Sequence, residues 1–170
     1  MPCNLQNLSF GADFNQSPEN LPSTLQELTF GTDFNQRLDS IPLPKGLQTL
    51  SFGYAFDRSL EGVALPSNLG KLTFGFVFNQ SMKGVVLPSS LQELIFGDSF
   101  NQSLEGVVLP CSLQTLTFGV DFAQSLQNVM LPNNLQSLTL SPLFSQKLED
   151  VVLPSSLRTL AMQSLLVSCR

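Results

Sequence analysis

A leucine-proline step recurs through this chain at a constant interval of 22 residues. Periods of 20 to 50 residues are typical of proteins built by stacking copies of one supersecondary unit. Each copy then supplies one layer of the stack, so the interval limits the possible folds more than any local propensity does. The prolines that mark it are Pro22, Pro44, Pro66, Pro88, Pro110, Pro132 and Pro154.

The repeating unit reads L-P-x-S-L-x-x-L-x-F-G-x-x-F-N-Q-S-L-x-G-V-x. Leu91, Leu94 and Phe96 stand where the leucine-rich pattern turns side chains inward around a short strand. Leu104 and Val107 are expected to supply the opposite wall of the core on an extended return path. Proline then removes a backbone donor and ends that segment.

Three further columns of the repeat predict how the coils stack. A second phenylalanine predicts a spine with one ring per coil. The asparagine after it favours a ladder in which each amide bonds the backbone of the next coil, the alternative being ordinary solvated turn residues. The glycine after the strand indicates positive φ or close backbone approach, and Ser141 interrupts it, so we expect an irregular seventh coil. Asp57, Ala123 and Ser145 interrupt the asparagines. The spine residues are Phe14, Phe34, Phe56, Phe78, Phe100, Phe122 and Phe144.

These columns together predict a β-solenoid. We expect a leucine-rich-repeat-like, right-handed stack of 22-residue coils, with a parallel sheet on one side and an extended return path on the other. The return path is too short and too rich in β-branched residues for a helix, so both sides should be similarly spaced and the curvature small. Residues 1–170 should form a single repeat domain of about eight coils, on the order of 40 Å long. The first repeat is two residues short and the last is incomplete.

The repeat also resembles a known family. The run Leu87-Pro88-Ser89-Ser90-Leu91, with Phe96-Gly97 and Phe100-Asn101-Gln102, is similar to the FNIP repeat family of leucine-rich-like proteins. The resemblance covers essentially the whole chain and weakens toward the C-terminus. It implies the architecture and no active site. Family members often carry these repeats beside F-box or kinase segments, which implies recognition of substrates or partners.

Composition and charge exclude several classes of partner. A net charge of −5 and a charged fraction of 12% leave no basic surface to neutralise phosphates, so nucleic acid is not expected. No stretch approaches the ~20 apolar residues of a membrane span, and the first residues lack the pattern of a secretory leader. We therefore expect a cytoplasmic protein in a reducing compartment, without membrane contact.

Chemistry-bearing side chains are sparse. Histidine is absent, which removes the Ser-His-Asp and Cys-His systems and the commonest metal ligand. Cys3 and Cys111 share a column five coils apart, too far for a disulfide, so they and Cys169 should be free thiols. The column with Glu61 and Glu105 is charge-balanced by an interleaved lysine and is typical of a solvated edge. We expect no enzyme activity, cofactor or metal.

Variable columns are the candidates for binding, because packing occupies the recurrent ones. The two turn positions between the phenylalanines become apolar in the middle coils, and an exposed apolar patch often marks an interface. The alternative is that these side chains fold over the turn and cap the spine. The candidate partner-binding residues are Tyr54, Ala55, Phe76, Val77 and Val120.

The outward strand positions form a second surface, rich in threonine. They are either a solvated face of residues with high β-propensity or a flat array that orders water or meets ice. The residues concerned are Thr29, Thr73, Thr115, Thr117 and Thr139.

A third surface lies on the return path, where alternation places one apolar side chain per coil outward. This stripe would serve docking or self-association, or it is modest filling of an ordinary face. Its residues are Val86, Val108, Met130 and Val152.

The sequence thus favours a non-catalytic protein-interaction or scaffold solenoid whose protein partner it does not identify. A surface-active rod with a flat threonine face is the second hypothesis, and an enzyme with carboxylate chemistry is a distant third. End-to-end or edge self-association is also expected, since the terminal coils expose apolar residues and strand edges without capping helices.

Overall fold

The computed structural model describes residues 4–39, 41–146 and 148–162. Eight short strands form one parallel sheet whose order in space is their order along the chain. We number the coils 1 to 8 after the strand that each contains. The strands are β1 Asn7–Ser9, β2 Glu27–Thr29, β3 Thr49–Ser51, β4 Lys71–Thr73, β5 Glu93–Ile95, β6 Thr115–Thr117, β7 Ser137–Leu140 and β8 Thr159–Met162. The predicted β-solenoid of 22-residue coils is confirmed.

The strands pair in a register that repeats the sequence period. Leu28 pairs with Leu50 and Leu50 with Leu72, each 22 residues on, whereas Leu8 pairs with Leu28 after only 20. The short first repeat therefore shortens the return path and leaves the sheet in register. In β2 to β6 the central leucine is buried and its two neighbours face outward, as the pattern predicted.

Two columns of stacked phenylalanines fill the core behind the sheet. Within a coil the two ring centroids lie 3.7 to 4.0 Å apart, and rings of neighbouring coils are also stacked. The predicted spine is thus present and is doubled by the phenylalanine at the end of each strand. Of the 14 phenylalanines, only Phe76 stands outside these two columns. The first column comprises Phe10, Phe30, Phe52, Phe74, Phe96 and Phe118.

The coils fan apart with distance from the sheet. Hydrogen-bonded parallel strands lie about 4.8 Å apart. Centroid separations between neighbouring coils are 5.4 to 5.8 Å in the first ring column and 6.0 to 6.4 Å in the second. Successive rings in each column lie within 16° of parallel. The separation of equivalent rings in neighbouring coils is therefore larger in the column farther along the coil from the strand.

The return path explains the fanning. Within the described residues, no backbone hydrogen bond joins neighbouring coils between the positions equivalent to Leu104 and Pro110, where the bonds are local turns such as Val107 N to Leu104 O at 3.0 Å. Within the described residues, no backbone ladder therefore holds the return segments at the strand spacing.

The glycine that follows each strand is required by close approach between coils. A Cβ on Gly75 would lie 1.7 Å from the carbonyl oxygen of Gly53, which no real side chain tolerates. The sequence left two explanations for this glycine column, positive φ and close backbone approach, and close approach is therefore the one that applies. Positive φ belongs instead to a second glycine column, in the return turn. Its members are Gly62, Gly84 and Gly106.

Ser141 replaces glycine in coil 7 without disturbing the sheet. It is fully buried, its hydroxyl donates to the Val120 carbonyl and it accepts the Leu143 N–H at 3.0 Å. β7 still pairs in register with β8. The irregularity predicted for this coil lies further along, in a 3-10 helix at Leu148–Asp150.

An asparagine ladder runs along the turn after the second phenylalanine, as favoured from the sequence. Asn79 Oδ1 accepts the backbone N–H of Asn101 at 2.9 Å and the side-chain amide of Gln102 at 3.0 Å. Asp57 fills the same role, accepting from Asn79 N and Gln80 Nε2 at 2.9 Å each. Asp57 therefore accepts the same two hydrogen bonds that an asparagine accepts at this position of the ladder.

The ladder ends at Ala123, and Ala123→Asn should extend it. The alanine N–H still donates to Asn101 Oδ1 at 3.0 Å, but alanine offers no acceptor to Ser145 in the next coil. We expect the substitution to raise the unfolding free energy by about 0.5 to 1.5 kcal/mol, measured by chemical denaturation. Asn79→Ala, which removes an acceptor of two bonds, should lower it. Equal stability of both variants and the parent would contradict this role for the ladder.

Candidate functional site

The rim of the solenoid consists of the two turn positions between the first and second phenylalanine of each coil. A second backbone ladder joins these turns in coils 1 to 6: Val77 N donates to Tyr54 O at 3.1 Å and Ser99 N donates to Phe76 O at 2.9 Å. Side chains on the rim therefore project from a backbone held at the spacing of a sheet. The rim pairs are residues 12–13, 32–33, 54–55, 76–77, 98–99, 120–121 and 142–143.

Two aromatic rings project together from the middle of the rim. Tyr54 and Phe76 are 53% and 43% exposed, and their centroids lie 4.8 Å apart with planes 7° from parallel. Tyr54 is the one tyrosine of the chain, and Phe76 is the one phenylalanine outside the spine. The spine rings Phe56 and Phe78 are fully buried. The structure thus places both side chains in solvent, stacked on each other.

The other candidate rim residues divide into two groups. Ala55 and Val77 are half-buried beside the aromatic pair and complete a contiguous apolar patch. Val120 is also half-buried but lies two coils beyond Phe76, with Asp98 on the rim between them. The structure therefore brings together four of the five residues.

Carboxylates lie on both sides of the aromatic pair. Asp33 is one coil before Tyr54, and Asp98 is one coil after Phe76. No lysine or arginine occupies a rim position. Within the part of the chain that the structure describes, the ion pairs are Arg37–Asp39 and Lys71–Glu93, so no rim carboxylate is paired with a cation. The four rim acids are Asp13, Asp33, Asp98 and Asp121.

The strand face carries threonines but is not uniform. Thr29 is exposed and the other four candidate threonines are half-buried, all outside the core. Lys71 and Glu93, paired across β4 and β5 at 2.7 Å, cross the same face, and Ile95 stands in its threonine column. Charge and an aliphatic side chain thus divide the array near its centre.

The return face exposes the predicted apolar stripe. Val86, Val108, Met130 and Val152 are 79 to 86% exposed. The fanning of the coils opens clefts beside them, of which one measures about 450 Å³ and is lined by Val108, Met130 and Pro132. These clefts are open grooves between neighbouring return segments.

Within the described ranges, no group of three or more histidine, cysteine, aspartate or glutamate side chains is placed so that it could hold a metal ion. Glu105 accepts a hydrogen bond from the Asn128 amide at 3.2 Å, and Lys71 pairs with Glu93. Cys111 is an exposed free thiol, while Cys3 and Cys169 lie outside the described residues. The same ranges contain no helix with the length and apolarity needed to cross a bilayer.

Sequence reasoning missed two features of this site. The glutamine after the asparagine donates back to the preceding coil at Gln36, Gln80 and Gln102, and its recurrence in the repeat was the available signal. The carboxylates beside the aromatic pair were also visible in the rim columns. Their importance for binding follows only from the backbone hydrogen bonds that join the rim turns of neighbouring coils.

Comparisons with known proteins agree with this architecture. The family described as FNIP Repeat matches residues 1–33, 34–76, 78–121 and 122–164. Among solved structures, the chain is similar to one described as "The crystal structure of CroV588 a novel circular LRR protein structure", with 39% identity and a TM-score of 0.79. That match covers 95% of this chain and 27% of the other, so this chain spans about a quarter of its length. No curated protein matches.

Proposed function

This chain belongs to the FNIP repeat family, and we propose that it acts as a non-catalytic protein-interaction solenoid that binds its partner through the rim. The observation that carries the proposal is the exposed stack of Tyr54 on Phe76. Every other phenylalanine belongs to the two ring columns of the core, whereas these two rings stack across coils 3 and 4 at the surface. Aromatic side chains of this kind dominate the binding energy of protein interfaces.

The rim is well prepared for binding. Each ring of the pair restricts the other, and the backbone ladder from Val77 N to Tyr54 O fixes the turn beneath them. A partner would therefore order few additional side chains, and preorganisation of this kind favours affinity. Ala55 and Val77 extend the apolar area without adding rotamer entropy.

The alternative surfaces have weaker support. A water-ordering or ice-facing strand face needs a flat threonine array, and the Lys71–Glu93 pair interrupts it. The return stripe is more exposed than the rim pair, but its residues are separate aliphatic side chains over open clefts. We also propose a reducing intracellular location, which the exposed free thiol of Cys111 supports.

The test of the proposed function is the double substitution Tyr54→Ser with Phe76→Ser. Because both rings are about half exposed, the unfolding free energy should change by about 1 kcal/mol or less. Binding to the protein partner should weaken by about 30-fold or more. Quantitative capture of bound proteins by the parent and the variant, with folding checked by circular dichroism, measures both effects.

A matched control uses the return face. Val86→Ser with Val108→Ser also removes two exposed apolar side chains from neighbouring coils. We expect this variant to bind as the parent does. Loss of binding in the control alone would place the interface on the return face and refute the rim proposal, as would a large loss of stability in the rim variant.

A further inference from the structure

We propose that the rim takes a basic, extended peptide segment of a partner protein, laid along the stack of coils. An apolar or aromatic side chain of the segment packs on Tyr54 and Phe76, and a lysine or arginine on each side of it reaches a rim carboxylate. This inference rests on the proposed function, because it specifies the chemistry of the segment that the same rim would bind.

The charges of the rim favour a basic partner segment. Asp98, one coil after Phe76, lies in the same rim column as the two rings. Asp33, one coil before Tyr54, lies with Asp13 and Asp121 in the adjacent second rim column. None of the four makes an ion pair within the described ranges. Uncompensated carboxylates around an apolar centre attract cations and repel acidic segments.

The spacing of the coils carries the second step. Asp33 and Asp98 are three coils apart in neighbouring rim columns, which separates them by about 14 Å along the stack at the spacing of hydrogen-bonded strands. An extended peptide advances ~3.4 Å per residue, so side chains four positions apart are also separated by about 14 Å and point to the same face. The side chain midway between them then lies over Tyr54 and Phe76. The expected motif is a basic residue, any residue, an apolar residue, any residue, and a basic residue.

The rings themselves favour a cationic segment. An arginine that lies over the face of Tyr54 or Phe76 gains a cation–π contact while its guanidinium stays within reach of a neighbouring carboxylate. A basic side chain can therefore be accommodated at the centre of the segment as well as at its flanks. An acidic side chain is disfavoured at all of these positions.

The test is selection from a displayed library of random peptides about twelve residues long, against the full chain. Enriched peptides should be basic, with lysine or arginine four positions apart around an apolar residue. Their affinity, measured by fluorescence anisotropy of labelled synthetic copies, should fall as salt rises. Asp33→Asn with Asp98→Asn should weaken binding by about 3- to 30-fold. Glu61→Gln with Glu149→Gln, the same loss of charge at exposed positions away from the rim, should have little effect.

The outcomes separate this inference from the function on which it rests. Neutral or acidic peptides that bind and lose affinity with Tyr54→Ser and Phe76→Ser would overturn the basic segment and leave the rim interface standing. Equal effects of the two carboxylate variants would likewise overturn it. Selected peptides whose binding is insensitive to the aromatic substitutions would contradict the rim interface itself.

Discussion

Phe78→Ala and Phe100→Ala are each expected to lower the unfolding free energy by about 3 to 5 kcal/mol. Both rings are fully buried in the second column of the spine. Phe78 stacks on Phe74 in its own coil at 3.8 Å and on Phe56 and Phe100 in the adjacent coils at 6.1 and 6.0 Å. Phe96 also stacks on Phe78, at 6.5 Å, so truncation leaves a cavity bordered by four rings.

Chemical denaturation of the two variants measures this cost. Thr117→Ala is the control, since this side chain lies on the outward face of β6 and should cost less than about 1 kcal/mol. A similar loss for Thr117→Ala and Phe78→Ala would contradict the facing of the columns.

Gly75→Ala is expected to be more damaging than most core truncations, with a loss above about 3 kcal/mol. Its new Cβ would lie 1.7 Å from the Gly53 carbonyl oxygen, and backbone on both sides prevents a local adjustment. Hydrogen bonds from Phe52 N to Thr73 O and from Val77 N to Tyr54 O enclose the contact. Relief therefore requires two coils to separate and at least one of these bonds to break.

Gly70→Ala provides the opposite expectation at a neighbouring glycine. Its Cβ would lie 3.7 Å from the Gln48 carbonyl oxygen, an ordinary contact, and its φ is not in the left-handed region. The substitution should stabilise the protein by about 0.4 to 1 kcal/mol, because alanine has fewer unfolded conformations. Thermal or denaturant unfolding of both variants decides the matter: comparable destabilisation by the two alanines would refute the crowding argument.

The fold was accessible from the sequence because one period governs it. Leu94, Phe96 and Phe100 recur at fixed positions, and each column has a single physical explanation that suits a stacked coil. The wider separation of the coils away from the sheet was not accessible, since it depends on which side of the coil lacks a cross-coil backbone ladder. Side-chain pattern does not report backbone pairing. The sequence likewise left two explanations for the glycine at Gly75, positive φ and close backbone approach. Only the position of the Gly53 carbonyl distinguishes between them.

The candidate surface was found in outline by the same reasoning. Tyr54 and Phe76 could be identified because they depart from the repeat. A residue that varies at its position in the repeat is not one that the repeat requires. Their mutual stacking and exposure depend on side-chain rotamers and on the rim ladder, and the sequence pattern shows neither. Val120, the fifth candidate residue, lies two coils beyond Phe76 and is separated from the pair by Asp98.

The constant register of the coils has an evolutionary consequence. Each strand pairs only with its immediate neighbours in the chain, and equivalent residues meet at the same positions from β2 onward. Duplication or deletion of one 22-residue unit would therefore create a junction whose contacts already exist elsewhere in the stack. The number of coils can therefore change between relatives without loss of the fold. Such a change would alter the distance between a rim pair such as Tyr54 and Phe76 and any neighbouring module, while the pair itself stays the same.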